Sequence, residues 1–319
     1  MPEEYRVEYV ADRTVTSAKI MMGLTVECAR CHTHKYDPIS HDEFFSLYSF
    51  FNNVEEDGLI GYGITAPKPN LTINKKDIND DLSFVNLPDS ISDVTLMVMK
   101  ETENLRNTYV LNRGSYDSPT RLVKPSTPKA VLEFDNSKYP SNRIGLSKWF
   151  FDKDNPLTSR VTVNRLWQQF FGVGIVATPD DFGSQGNKPV NPELLDWLAY
   201  TFQNKDNWDT KKFIKRLVMS STYRQSSKVK KENRLIDSDN TYLANYPRQK
   251  LSAEMIRDNA LATSKMLVKK VGGPSVKPMQ PPGLWDEVTG GGGGRTNQSD
   301  RTFVFGAWSD VPFKYNNAK

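Results

Sequence analysis

Apolar residues recur every three or four positions through most of the second half of the chain. In "NPLTSRVTVNRLWQQFFG" Val163, Leu166, Trp167, Phe170 and Phe171 share one helical face. Asn155 is placed to cap that helix, Pro156 suits its first position and Gly172 stops it. Asn191-Pro192 repeats the device ahead of Leu194, Leu195, Leu198, Ala199 and Phe202. Asp209 opens a third helix bearing Phe213, Ile214, Leu217 and Val218, and Ser252 opens a fourth, "SAEMIRDNALATSKMLVKK", with lysines at its negative end. These stripes are the faces of a packed core.

The first half starts with a helix from Pro2, acidic in its first turn, that runs to Met21 or Met22 and stops at Gly23. "HDEFFSLYSFFNNV" spaces Phe44, Leu47, Tyr48 and Phe51 helically, with Asn52-Asn53 as the stop. Between Glu55 and Tyr139 the period fades; only "VTLMVMKE" and "TYVLNRG" read as strands. The expected fold is mainly α: a helical segment over 1–56, a loop-rich joining region with a little β over 57–139, and a multi-helix domain over 140–319. Its tail from residue 289 is unplaced. "VGGPSVKPMQPPGLWDEV" and Gly290–Gly294 read as loop, and the glycine run lacks the Lys-Ser/Thr of a P-loop. No fixed-period repeat is present.

Composition narrows the class. With 319 residues, 37% hydrophobic and 25% charged, the chain can bury a large core. A net charge of +4, with lysine and arginine scattered beside acids, speaks for a solvated surface and against nucleic acid. No apolar run approaches the roughly 20 residues of a membrane span, and "MPEEYRVEYV" is no signal peptide.

Chemistry concentrates in "GLTVECARCHTHKYDPISH", which holds both cysteines and all three histidines. Cys28, Cys31 and His32 make C-x-x-C-H. Two thiols three residues apart suit the two vinyl groups of one porphyrin edge, and the next residue supplies an axial imidazole. Zinc on Cys28, Cys31, His34 and His41 is a second reading, although the inner spacing is unusual for a finger. A redox dithiol is a third, and unmodified cysteines beside surface histidines a fourth. In "TPDDFGSQG" Asp180 and Asp181 read as turn or cap residues, and Arg160 with Asn164 as a buried polar pair. No G-x-S-x-G, H-E-x-x-H or Walker pattern occurs, and no catalytic residue is named.

"PEEYRVEYVADR", "GLTVECARCHTHKYDPIS" and "FFNNV" resemble the cytochrome-bearing segment of planctomycete-type cytochrome c proteins, domain of unknown function 1549. "LMVMKE" and "YVLNRGSYDSP" are similar to the joining region of the same proteins. "NRIGLSKWFFDKDNPLTSRVTVNRLWQQFFGVGIVATPDDFGSQG", "NPELLDWLA", "STYRQSS", "LSAEMIRDNAL" and "GGPSVKPMQPPGLWDEV" resemble the second domain, number 1553. The resemblance runs from about Pro2 to Val288 in the family's order. It implies covalent haem c on Cys28 and Cys31, with His32 as proximal ligand of the iron. It gives His34 a supporting role near the ring or its propionates, with Arg30 and Lys35 as further propionate partners. Met99 is its candidate distal ligand to the haem iron; Met21, Met22 and His41 are weaker ones.

The expectation is therefore an exported or periplasmic c-type haem protein. It would exchange electrons with a redox partner protein or small-molecule acceptor, and the resemblance adds a link to polysaccharide degradation and hence to carbohydrate. The alternatives are a zinc-binding or non-redox scaffold, and a haem enzyme with an open iron site. Family members extend before "PEEY", where their export signal lies, and past "PPGLWDEV", so the chain reads as a fragment. Its last stretch, "TFVFGAWSDVPFKYNNAK", has no counterpart in that pattern.

Overall fold

The structure, a computed structural model, describes residues 2–59, 68–74 and 93–268. The chain falls into two compact units, Met1–Pro247 and Arg248–Lys319. The glycine run and the Pro/Gly-rich stretch before it lie outside the described residues, as does the C-terminal tail.

In the first unit, α1 (Pro2–Met22) carries Glu3 and Glu4 in its first turn and Lys19 in its last, which complements the helix dipole. It buries Val7, Val10, Ala11, Thr14, Ala18 and Met22, a 3–4 spacing that faces α2 (His41–Tyr48) and α4 (Thr158–Phe171). Gly23 stops it at φ +63°, in the left-handed region open to a residue without Cβ. Helix α2 starts with a capping box in which the Ser40 side chain and Glu43 exchange hydrogen bonds.

That helix ends at Tyr48, earlier than the apolar spacing predicts. The Asn52 and Asn53 side chains are taken by tertiary bonds. Asn52 Oδ1 accepts from Arg6 at 2.7 Å and its Nδ2 donates to Thr108 Oγ1 at 2.9 Å. Asn53 Oδ1 accepts from the Arg106 N–H at 2.7 Å. Phe50 and Phe51 stay buried on turns that follow the helix.

The joining region forms two small antiparallel sheets, β1 (Asn70–Ile73) with β2 (Val94–Met97) and β3 (Thr108–Leu111) with β4 (Pro119–Val123). The sequence pattern finds β2 and β3 and misses their partners. Strands β1 and β4 are almost wholly exposed, so they carry no alternation to read. Val110 and Leu111 enter the first core, together with Phe134 and Tyr139 and with Leu146, Trp149 and Phe150 of α3 (Arg143–Phe150). That core draws on all three stretches of the chain.

The second core packs α4 against α5 (Pro192–Tyr200) and α6 (Thr210–Met219). Val163, Trp167 and Phe171 lie inside with Leu195, Leu198, Phe202, Phe213 and Leu217. Asn191 and Asp209 each accept a helix-terminal N–H group, as their sequence positions predict. Asn155 does not cap α4, which begins at Thr158 rather than Pro156; its Oδ1 accepts the Leu157 N–H in the turn ahead of the helix at 3.0 Å. A π-helical turn over Thr201–Lys205 extends α5. Short helices α7 (Ser221–Arg224) and α8 (Lys231–Ile236) follow.

Two further expectations need correction. Arg160 and Asn164 do not pair: Arg160 donates to Asp196 at 2.8 Å. Asn164, fully buried, closes a loop through both backbone groups of Val176 at 2.9 and 3.0 Å. In the second unit, α9 (Ala253–Thr263) is capped by Ser252 but stops before its predicted lysine end, with Lys265 already left-handed at φ +57°.

Asp206 anchors the second core by an ion pair. Its carboxylate is 3% exposed and accepts two bonds from Arg216, one of them at 2.9 Å. The hydrogen bond from Arg216 holds the Asp206 carboxyl below its ordinary range, against the opposing effect of burial. Asp206→Asn is expected to cost about 2 kcal/mol at pH 7. Because the folded-state pKa is depressed, the pair stabilises fully above the unfolded value near 4 and is lost as pH falls through the folded one. Thermal melts from pH 7 to pH 3 should therefore show wild type and variant converging at the acid end.

Candidate functional site

The C-x-x-C-H residues sit where α1 has ended and α2 has not begun. A 3₁₀ turn, Glu27–Arg30, carries Cys28, and the Cys31 N–H closes it on the Cys28 carbonyl at 3.4 Å. Ala29 points inward and is fully buried, while both cysteines are free and exposed. Cys28 and Cys31 are three residues apart, the spacing at which side chains of a 3₁₀ turn share a side. The Cys31 thiol donates to the Arg113 carbonyl at 3.3 Å. Arg113 adopts φ +49°, a left-handed conformation unusual for a residue with a Cβ. Gly114 after it lies against Arg30, where a Cβ would stand 3.1 Å from that side chain.

His32 is exposed, and its Nδ1 lies 2.7 Å from the Thr33 carbonyl. A carbonyl only accepts, so Nδ1 carries the proton and Nε2 of the neutral ring is the free lone pair. Histidine ligands are commonly oriented in this way, one nitrogen donating to a carbonyl and the other turned to the metal. Arg30 ties the turn to α1 through a two-pronged pair with Glu8, one bond measuring 2.7 Å. That hydrogen bond holds the Glu8 carboxyl below its ordinary range and raises Arg30. Lys35 lies over the Tyr36 ring at 5.0 Å.

The other two histidines are occupied. His34 is 8% exposed, and its Nδ1 accepts the N–H groups of Asp37 at 2.8 Å and Tyr36 at 3.3 Å. It supports the turn that follows the motif. His41 opens α2 with Nε2 2.9 Å from the Arg30 carbonyl and its ring edge-on to Phe45 at 5.3 Å. Burial pushes the His41 imidazole down, against the Arg30 carbonyl, which raises it. Among the described residues no cluster of three or more His, Cys, Asp or Glu side chains is gathered as a metal ion needs. The structure does not bring Cys28, Cys31, His34 and His41 together as a four-ligand set.

Met99 is 49% exposed and lines a groove of about 420 Å³ with Tyr9, Arg13, Glu56 and Met97. No residue of the C-x-x-C-H motif lines that groove. Met22 is enclosed in the first core and Met21 packs against it.

Two links to the second half of the chain were invisible to sequence reasoning. The Phe182 N–H donates to the Gly23 carbonyl at 2.7 Å. Asp37, 7% exposed, accepts from the Ser184 N–H at 2.7 Å and its hydroxyl at 2.8 Å. "YDP" and "DDFGSQG" read locally as turns, and nothing in either says that it meets the other. Of the aspartates of the second stretch, Asp181 acts as a turn residue, its Oδ1 accepting from the Gly183 N–H at 2.9 Å, while Asp180 instead forms an ion pair with Arg165 at 2.9 Å.

Haem c requires two accessible thiols on one turn and an imidazole with a free nitrogen beside them. Cys28, Cys31 and His32 meet that requirement. No helix among the described residues is long and apolar enough to cross a membrane. Residues 1–56 match PSCyt2, protein of unknown function DUF1549, and residues 142–310 match PSD1, protein of unknown function DUF1553. No curated protein and no solved structure matches. With the second match covering more than half of the chain, and the first standing ahead of it in the predicted order, this protein belongs to the DUF1553 (PSD1) family and carries a DUF1549 (PSCyt2) segment at its N-terminal side.

Proposed function

We propose that the chain is a periplasmic or exported c-type haem protein that exchanges electrons with a redox partner protein or a small-molecule acceptor. One observation carries the reading: Cys28 and Cys31 are exposed on a single turn whose next residue, His32, has its Nδ1 proton bound to a carbonyl and its Nε2 free. A covalently held haem supplies a one-electron couple. The chain's residues contribute anchorage and orientation. The two thiols fix the position of the group, the Thr33 carbonyl holds the His32 ring in one tautomer, and the Glu8–Arg30 pair keeps the turn on α1.

The zinc reading is less well supported, because His34 Nδ1 accepts two backbone N–H groups and the four side chains are not gathered into one set. The test is expression with an export signal and a cytochrome c maturation system, followed by a pyridine haemochrome spectrum and a denatured mass. A c-type α-band with haem retained in the denatured mass is the expected result. Stoichiometric zinc without a covalent adduct would overturn the reading.

Met99, whose side chain is half-exposed, is the distal ligand to test. If it ligates, Met99→Ala will let the reduced protein bind carbon monoxide where wild type does not. Carbon monoxide binding by the wild type itself would favour an enzyme with an open iron site.

The link to polysaccharide has chemical support elsewhere in the first unit. A cleft of about 390 Å³ is lined by Ser159, Arg160, Asp196, Tyr200, Gln203 and Asn204. Gln203 and Asn204 spend an N–H on the backbone carbonyls of Asp152 and Tyr200, which leaves their amide oxygens as acceptors. Tyr200, 59% exposed, offers a ring face beside them. Hydroxyl-rich ligands need this mixture of donors, acceptors and a flat apolar surface. Tyr200→Ala should abolish retardation in polysaccharide affinity electrophoresis while moving stability by no more than about 0.5 kcal/mol.

A further inference from the structure

The stretch from Gly23 to Asp37 contains the whole C-x-x-C-H motif, and the same loop of the second family segment, Thr178–Gly186, grips both of its ends. At the front, the Gly23 carbonyl accepts the Phe182 N–H at 2.7 Å. Gly23 leaves no room for a side chain, because a Cβ would stand 2.8 Å from the Phe182 ring. At the back, the Asp37 carboxylate accepts both groups of Ser184 at 2.7 and 2.8 Å. Gly183 lets it approach: a Cβ there would lie 2.4 Å from Asp37 Oδ2.

The loop is itself closed. Thr178 Oγ1 donates to the Asp181 carbonyl at 2.8 Å and accepts the Asn187 N–H at 2.9 Å, and Asp181 Oδ1 accepts from Gly183. Its base is fastened to the end of α1. Arg165 donates to the carbonyls of Lys19 and Ile20 at 2.8 and 2.7 Å and to Asp180 at 2.9 Å. Asp37 in turn reaches the motif through His34, whose Nδ1 takes the Asp37 N–H two residues beyond His32. Both Ser184 bonds fall on Oδ1 of a buried carboxylate, which is costly to leave without those donors, so this end of the stretch cannot drift without breaking bonds.

We propose that the Thr178–Gly186 loop is a clamp that holds the haem-attachment segment in its binding shape, with Asp37 and Gly183 as positioning residues for His32. The role of the DUF1553 part at this place is to complete the site begun by the DUF1549 part. The assignment to His32 rests on the haem reading above; the clamp itself does not.

The test uses the full chain, with Asp37→Ala and Gly183→Ala as clamp variants and Asp37→Asn as the conservative one. Leu217→Ala, in the second core, is the control for general destabilisation. In protein made without haem, hydrogen exchange of the amides from residue 24 to residue 36 should speed up at least tenfold in both clamp variants. Asp37→Asn, which keeps an oxygen for Ser184, should stay near wild type, as should the control. Unchanged exchange in both clamp variants overturns the proposal. In haem-loaded protein the midpoint potential should shift in the clamp variants and recover in Asp37→Asn; an unchanged potential removes His32 from the assignment. If wild type takes up no haem, the haem reading falls, while the exchange experiment still decides the clamp.

Discussion

A chain with alanine at both Cys28 and Cys31 is expected to fold as wild type does and to leave the maturation system with no covalent haem. Both thiols are exposed, and among the described residues the one hydrogen bond either makes is that of Cys31 to the Arg113 carbonyl. Surface substitutions of this kind move stability by about 0.5 kcal/mol or less, so unchanged circular dichroism and melting would accompany complete loss of the adduct. Each single variant should keep one thioether and a displaced α-band. His32→Ala tests a separate step, because the anchors remain while the proximal imidazole is gone; retained mass with an altered Soret band is the expected result. Covalent haem on the double variant would sink the assignment of the motif.

The largest structural effect is expected at Trp149. The residue is fully buried in the first core, its Nε1–H donates to the Leu132 carbonyl at 3.0 Å, and its ring meets Phe150 edge-on at 5.3 Å. Trp149→Ala removes the bulk of the ring and its hydrogen bond, leaving that carbonyl with the Thr127 hydroxyl at 3.1 Å, for a loss of about 3–5 kcal/mol. Against a total stability on the order of 5–15 kcal/mol, that puts the variant near unfolding at room temperature. Trp149→Phe keeps most of the volume and loses chiefly the hydrogen bond, about 1 kcal/mol. Urea titration followed by circular dichroism checks both, with the midpoint falling and the slope held. The experiment also asks whether the joining region is a passive linker, because Leu132, Phe134 and Tyr139 pack where Trp149 does. If that packing matters, Trp149→Ala will also loosen the segments around α1 and α2.

Helices with a buried stripe and a polar cap were legible residue by residue. Asn191 and Asp209 cap where their position says, Gly23 and Gly172 stop their helices at positive φ, and Val163, Trp167 and Phe171 face inward. These features depend on neighbours within one or two turns, which a linear reading can see. The exposed strands β1 and β4 were not legible, since their pairing partners rather than their own pattern define them. Nor was the early end of α2, where Arg6, Thr108 and Arg106 draw the Asn52 and Asn53 side chains into bonds across the fold.

The candidate site divides the same way. The amino-acid sequence by itself determined the helical class, the order of the two family segments, and the grouping of Cys28, Cys31 and His32, because residues so close along the chain share one turn. Only the tertiary structure decided how the remaining polar residues are spent. It turned His34 and His41 to backbone partners, put Met99 in a groove apart from the motif, and brought Asp37 against Ser184, 147 residues away. Such a contact leaves no mark on either local sequence. It follows from the burial of α1 against α4, which carries the "DDFGSQG" loop to both ends of the cysteine segment and satisfies a carboxylate that would otherwise be buried alone.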